Sequence, residues 1–505
     1  MPGLNAGLYV GLSGLQAQQS ALNVVGNNIS NVNTPSYSRQ VADLSSSQSL
    51  IQGGVYFGTG VGLNTVQGIR NQFLDLQLYN ETAKHSGSSD RYAGLNAIAP
   101  VLGDSSSSGI AAQIQAFFQG FQALAAQPED SSLRTNLIGR AQTMITGLQS
   151  QYRILEDQRN TADLSVKNLV SQVNNLTSQI AQLNQTITST PTPATQNDAW
   201  DQRTALTKQL AQLVGINVTQ GSRGEYQITL DSGAAALVNG NTSYQLSTTP
   251  DAALGGLLRV DANMGGITVP VTSKIANGSL GAQLDLRDNI YAGYQTQLDT
   301  LAAGITSQVN LQHRQGYALD GTTTNTDFFQ GGIGNYAATN LPLGQVAGLP
   351  NDPTITPPNY RGMVNALAVN AALVANPNLI AAAGPPTPPA VTAAPGDNTN
   401  ANALAGLQFT GGANAAGVVL GSSYSTVVSS FVGSVGTAVQ SLNAQSTTQQ
   451  NLVTALQSQR DSVSGVDLNE EAASMMTLQQ GYQASARFIT VINQMMQQLV
   501  TTFGQ

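Results

Sequence analysis

Cysteine is absent from all 505 residues. Disulfides, thiolate metal sites and cysteine nucleophiles are therefore excluded, and stability has to come from packing and assembly. Charge is scarce too: 9% of residues are charged, against about 25% in ordinary soluble proteins. Histidine occurs twice, as His85 and His313, so no zinc ligand set is in view. His85 sits in a polar stretch, and His313 comes late in a helical pattern, where a cation suits the helix dipole. HExxH, GxSxG and Walker-type sequences are missing. The sequence thus offers no catalytic residues, no cofactor-binding site and no metal site. No apolar run approaches the ~20 residues of a membrane span. The start, Met1-Pro2-Gly3-Leu4-Asn5, lacks the basic residues of a secretory signal. The expectation is a protein that stays inside the cell or leaves by a route that cleaves nothing. The net charge of −8 comes without a basic stripe, which leaves no footprint for nucleic acid or for a membrane surface.

What is present is apolar and neutral polar. Hydrophobic residues make up 41%, and Gln, Asn, Ser and Thr carry the polarity. Such side chains hydrogen-bond without the desolvation cost of a buried charge, which suits a surface that neighbours will cover. Leu8, Leu15, Leu22 and Ile29 recur every seven residues near the start. Leu468, Met475, Tyr482, Ile489 and Met496 do so near the end, with Leu478, Ile492 and Leu499 beside them. Seven-residue spacing keeps an apolar seam on one side of a supercoiling helix. Residues 1–38 contain no Asp, Glu, Lys or Arg, and after Glu471 the one charged side chain is Arg487. An exposed coiled coil would surround its seam with Glu and Lys. The outer faces therefore read as contact surfaces in an assembly, with a two-helix hairpin packed on its own domain as the plainer alternative. Lacking partners outside a polymer, both ends are expected to be unordered in an isolated monomer. The first helix should end near Asn27-Asn28, because Asn31-Val32-Asn33-Thr34-Pro35 is turn chemistry.

The same residues carry a resemblance. Gly11-Leu12-Ser13-Gly14-Leu15, Gln18-Gln19 and Val24 to Asn31 resemble the N-terminal signature of the bacterial flagellar axial proteins, which comprise rod, hook and hook-associated proteins. Tyr37-Ser38-Arg39-Gln40 looks like the hook-associated branch. Gly465 to Ala473 and Gln479 to Arg487 are similar to that family's closing motifs, with Gly481 where Ala is common; this Gly should cost about 1 kcal/mol of helix propensity. Gly58-Thr59-Gly60-Val61 with Ile69-Arg70, and Pro395 to Asn398 with Asn402 to Leu407, also fit. The likeness is strong over 1–215 and 400–505 and patchy between.

Between the ends, Asp130 or Ser131 should cap a very long helix running to the breaker Thr190-Pro191-Thr192-Pro193, continuous or broken near Asn160. Asn197 or Asp198 opens a shorter one, closed by Gly215. Short alternating runs from Ile216 to Val271, separated by Gly, Asn and Ser, predict a small β-rich insert. Arg287 to Gln315 is helical again. Residues 319–400 are rich in Gly, Pro, Asn and Ala, with Pro357-Pro358, Pro385-Pro386 and Pro388-Pro389; loops, a few strands and one Ala-rich helix near 367–383 are expected. Gly331-Gly332-Ile333-Gly334 reads as a turn. A last body helix starts near Tyr424. Asp467, Glu470 and Glu471 start a helix or hold a cation, the former being the commoner use of such acids.

The predicted fold is mainly α with β-rich insertions: an elongated multi-domain rod with paired terminal helices, a long-helix bundle and a small β insert. The predicted parts are 1–45 with 457–505 as a polymer core; 46–215 with 281–318 and 401–456 as the bundle; 216–280 as the β insert; and 319–400 as an irregular insertion. The nested order places both termini at one pole and the inserts at the other. The resemblance implies a non-enzymatic subunit at the junction of hook and filament, outside the cell. It further implies export through the flagellum's own channel with an export chaperone. Partners would be other copies of the chain, the hook protein and the next junction protein. Alternatives are a hook or distal rod protein, or a secreted adhesin or enzyme with coiled-coil ends; the last would need convergent Asp, Glu and His between residues 216 and 400. Leu8, Leu15, Leu22, Ile29, Leu468, Met475, Tyr482, Ile489 and Met496 are the candidate assembly residues.

Overall fold

The computed structural model describes residues 2–52, 55–103, 106, 109–189, 193–330, 362–388, 390–409 and 423–503. Gly331 to Gly334, Pro357-Pro358, Pro389 and the breaker residues Thr190 to Thr192 lie outside the described residues. In chain order, α1 (Pro2–Ser30) leads into the strands β1 (Gln40–Ser46), β2 (Leu50–Gln52), β3 (Val55–Phe57) and β4 (Val61–Gly68). The helices α2 (Gln72–Leu102), α3 (Ile110–Ala126), α4 (Ser131–Ser189) and α5 (Pro193–Leu213) follow. The β-rich region holds β5 (Ile216–Gln220), β6 (Tyr226–Leu230), β7 (Ala236–Asn239), β8 (Thr242–Ser243), β9 (Gln245–Pro250), β10 (Leu258–Met264) and β11 (Ile267–Pro270). Then come α6 (Gly278–Asp285), α7 (Tyr291–His313), β12 (Phe329–Gln330), α8 (Met363–Ala366), β13 (Ala368–Val369), α9 (Ala371–Ala375) and α10 (Thr399–Gly406). Two long helices close the chain: α11 (Tyr424–Ser464) and α12 (Leu468–Phe503).

The mainly helical class with β-rich insertions holds, as do the pairing of the terminal helices and the long body helices. Helix α4 is unbroken for 59 residues, about 90 Å at 1.5 Å per residue. Asp130 caps it, its Oδ1 accepting the N–H of Ser132 at 2.7 Å and of Leu133 at 3.3 Å. Helix α5 begins at Pro193, ahead of the expected Asn197. Pro is favoured in the first turn of a helix, and Asn197 faces inward, where its amide donates to the Val66 carbonyl at 2.8 Å. The Ala-rich helix expected over 367–383 is one turn, Ala371–Ala375, followed by a 3-10 turn at Pro377–Leu379. Pro377 stops it, since Pro disfavours helix in the residue before it.

The chain forms two compact units. One comprises residues 1–87, 167–281 and 447–505. Both termini share a unit with β5 to β11. Within it, β1 and β4 form an antiparallel ribbon whose register shifts between Asp43 and Leu44. Strands β5-β6-β7-β8 make a four-stranded antiparallel sheet, and β11-β10-β9 a three-stranded one. The other unit comprises 88–166 and 282–446. Its core includes Phe117, Phe118, Phe121, Phe328 and Phe329. Phe328 and Phe329 lie 4.9 Å apart, ring centre to ring centre, edge to face.

Within that core His313 is fully buried. Its Nδ1 lies 2.7 Å from the Thr326 carbonyl and its Nε2 accepts the Ala381 N–H at 2.9 Å. This pairing requires the neutral ring, protonated at Nδ1, and burial pushes its pKa down to about 4. The reading of His313 as a dipole-stabilised cation is thereby corrected: the cost of burying charge outweighs the roughly 0.3–1 kcal/mol a helix end offers.

One device recurs in both units. An asparagine on a helix offers its side-chain amide to both backbone groups of one residue in a nearby strand or loop. Asn174 pairs with Leu246, Asn184 with Tyr226, Asn310 with Phe329, and Asn28 with Gln40. Each asparagine closes a strand edge that would otherwise carry unpaired polar groups. The low-charge, Asn-rich composition is thus used inside the fold.

Candidate assembly interface

Helix α1 contains no β-branched run in its first half, and Pro2 occupies its first position. It ends at a turn in which the Thr34 N–H donates to the Asn31 carbonyl at 2.9 Å. Ser36 takes a positive φ of 66° just after Pro35. Helix α12 starts just after Asp467, whose Oδ1 accepts the Asn469 N–H at 2.7 Å. Asp467 thus serves as a helix cap, and Glu470 lies in the first turn, as the sequence suggested.

The two helices pair antiparallel. A methyl group built on Gly7 would lie 3.2 Å from Ile492, on Gly11 2.7 Å from Ile489, on Gly14 3.1 Å from Ser485, and on Gly481 3.1 Å from Gln18. The buried line on α1 is Gly11, Ala17, Ala21, Val25 and Asn28. Small residues there let the backbones come close. Leu8, Leu15, Leu22 and Ile29 stand one step to the side of that line, half-buried. On α12 the seam holds Ile489 and the buried Ile492. Met475, Tyr482 and Met496 share the seven-residue register of Ile489 and are half-buried, whereas Leu468 is 51% exposed. Apolar side chains remain open outside the seam, among them Leu12, Met476, Phe488, Val491 and Met495.

Four polar groups fasten the base of the pair. Glu471 is 1% exposed. Its Oε1 accepts from Arg39 Nε at 2.6 Å and its Oε2 from Asn28 Nδ2 at 3.0 Å. Asn28 Oδ1 accepts from the Tyr37 hydroxyl at 3.0 Å and from the Gln40 N–H at 2.9 Å. Arg39 also reaches the exposed Glu470 at 3.0 Å. Burial, joined by the nearby Asp201 carboxylate, pushes the Tyr37 hydroxyl pKa well up and keeps it a donor. Nearby, Arg460 pairs with Asp75 at 3.6 Å; burial pushes the Asp75 carboxyl up, while Arg460 opposes it. Asn28, Arg39 and Glu471 all lie inside the family-like motifs. Periodicity could not find them, because they are neither apolar nor evenly spaced.

Beside this latch a half-open cavity of ≈ 390 Å³ lies between α1, β1 and α12, with Ala21, Val24, Val41, Leu44, Thr477 and Leu478 among its walls. Among the described residues no group of three or more His, Asp or Glu side chains could hold a metal ion. No described helix is long and apolar enough to cross a membrane.

Comparison with known proteins places three family matches along the chain. Residues 95–329 match the flagellar hook-associated protein FlgK helical domain. Residues 8–37 match the flagella basal body rod protein family, and 457–502 the C-terminal family of the flagellar basal body rod FlgEFG proteins. Flagellar hook-associated protein 1 of Escherichia coli K12 is 30% identical over 97% of this chain and 98% of its own length. The protein of the same name from Bacillus subtilis 168 is 24% identical over 99% and 98%. Among solved structures, the flagellar hook junction protein FlgK from Burkholderia pseudomallei matches with a TM-score of 0.64 at 21% identity, over 77% of this chain and all of that one; the fold is shared.

Proposed function

The chain belongs to the flagellar hook-associated protein 1 family, and from that premise we propose that its terminal pair is the element by which it polymerises at the junction of hook and filament. The protein is a non-enzymatic structural subunit of the flagellum, outside the cell. Its neighbours are further copies of itself, the hook protein below and the next junction protein above. Residues 1–45 with 457–505 act as the polymer core, and Leu8, Leu15, Leu22, Ile29, Leu468, Met475, Tyr482, Ile489 and Met496 serve its contacts. One observation carries this reading: the terminal helices are almost free of charge, yet they leave large apolar side chains uncovered after pairing with each other. Such a surface is unusual on a solitary soluble protein and ordinary in a subunit whose neighbours cover it.

The test is deletion of the gene in its host, scored by electron microscopy and by filament protein in the medium. Hooks without filaments, with filament protein shed outside, are expected. Intact filaments would reject the junction role, and absent hooks would move the protein down into the hook or rod.

A further inference from the structure

An asparagine followed by glycine is chemically exposed, because no side chain on the glycine keeps its nitrogen from the asparagine's own Cγ. The chain has two such pairs, Asn239-Gly240 and Asn277-Gly278, and the fold treats them differently. Asn277 stands where the chain leaves the β-rich region. Its amide donates to Asp231 Oδ2 at 2.6 Å, and its carbonyl accepts the Gly215 N–H at 3.2 Å. Gly278 is buried, and a methyl group built on it would lie 2.5 Å from the Val214 nitrogen. This pair is locked. Asn239 closes β7 and is exposed, and its side chain makes no hydrogen bond to any described residue. Gly240 follows with φ 58°, the first residue of a two-residue turn into β8. Strand β8 is two residues long and lies at the edge of its sheet, so the hairpin tip opens easily. Below the tip, the Tyr244 N–H donates to the Leu237 carbonyl at 2.8 Å, and the fully buried Asn184 of α4 donates to the Gly240 carbonyl at 2.7 Å. The peptide that joins Asn239 to Gly240 lies outside both bonds, and glycine tolerates its rotation.

We propose that Asn239 is a covalent modification site of this subunit, converting without an enzyme to aspartate and isoaspartate. The Gly240 nitrogen bonds to Asn239 Cγ while the Cγ–Nδ2 bond breaks. The amide nitrogen leaves as ammonia, taking the proton that Gly240 gives up, and a five-membered succinimide remains. Water then opens the ring. Cleavage of the new bond to Cγ yields aspartate. Cleavage of the bond to the backbone carbonyl yields isoaspartate, whose main chain runs through the former side chain. Either product brings a negative charge to a hairpin that has none, since residues 232–250 are uncharged. Isoaspartate also adds one backbone carbon ahead of Gly240. That breaks the pairing of Asn239 with Thr242 and of Val238 with Ser243, and it draws the Gly240 carbonyl away from Asn184. Outside the cell the product is beyond cytoplasmic repair, so the modified fraction grows with the age of the flagellum.

The test compares the two pairs within one molecule. The purified full chain is aged at mildly alkaline pH and digested with trypsin, which places Asn239 in the peptide 224–259 and Asn277 in the peptide 275–287. Mass spectrometry reads the conversion of amide to acid, fragment ions assign it to Asn239 rather than Asn241, and an isoaspartyl methyltransferase counts the isoaspartate. In the folded chain Asn239 is expected to convert faster than Asn277 by about tenfold or more, the factor that one hydrogen bond to a charged group sets. In urea, where local sequence alone decides, the two rates should converge. Asn239→Gln should remove the fast conversion and leave Asn277 unchanged. Equal rates in the folded chain, faster conversion at Asn277, or conversion of Asn239 only in urea would overturn the proposal. Hydrogen exchange over residues 238–243 should quicken in the isoaspartate form, and unchanged exchange there would overturn the loss of register.

Discussion

Asn28 and Gln40 exchange two hydrogen bonds, side-chain amide to backbone, at 2.8 and 2.9 Å, and the same asparagine donates to the buried Glu471. One residue of the first helix thus ties the following strand to the start of the last helix, 443 residues away in sequence. The base of the terminal pair is polar and closed, while its far end shows apolar side chains to solvent. This asymmetry shapes the first prediction. In the isolated chain, hydrogen exchange should be slow around Asn28 to Gln40 and Glu471 and fast towards residues 5–15 and 488–500. Uniformly strong protection along both helices of a monomer would contradict the need for neighbours.

Removing Glu471 should release this latch. Breaking one side of a buried ion pair costs roughly 3–5 kcal/mol, and Arg39, partly open to water, brings the expected loss to the lower end. Glu471→Ala should remove the exchange protection of Asn28 to Gln40. Glu471→Gln, which keeps an acceptor, should keep part of it. Unchanged protection in the alanine variant would show that the latch contributes little.

Two glycines of α1 should behave oppositely. At Gly11 an added methyl would press on Ile489 and Phe488, so Gly11→Ala should destabilise the pair by about 1–3 kcal/mol and weaken filament attachment. At Gly26 nothing lies within 4 Å, and Gly26→Ala should stabilise the helix by up to about 1 kcal/mol. Swimming and shear resistance of filaments would separate the two, and equal phenotypes would count against the close approach.

Leu15→Asp should leave the rest of the chain folded and block filament attachment. A charge beside the seam is tolerable in a solvated monomer and costly once a neighbour covers it. Circular dichroism of the purified variant and motility of the strain check the two halves; normal swimming would argue strongly against the terminal interface.

His313 should make stability depend on pH. Its folded pKa, about 4, lies below the unfolded value of about 6.5. Between these values the unfolded chain holds the extra proton, so stability rises with pH through the window. It is fully present above about pH 6.5 and falls as pH drops towards 4, by up to about 3 kcal/mol. Thermal unfolding of His313→Gln, compared with the unchanged chain from pH 7 to pH 4.5, should show a flatter dependence.

Local chemistry was enough to read much of this protein. The 59-residue helix from Ser131 follows from an aspartate cap and a long apolar period. The strands between Ile216 and Val271 follow from alternation punctuated by glycine. The uncharged ends are the ground for proposing contact surfaces there, because charge is what a solvated coiled coil shows outside its seam. The missing cysteines and catalytic motifs removed whole classes of chemistry. Other features depended on what tertiary contact brings together. The leucine column of α1 has the better apolar period, yet α1 approaches α12 closely at Gly7, Gly11 and Gly14, because close approach of two backbones selects small residues. His313 reads as a cation at a helix end and is neutral, because the Phe328 side of the core excludes water. Asn28, Arg39 and Glu471 meet only in three dimensions, and a polar latch between residues hundreds of positions apart leaves no period in the chain.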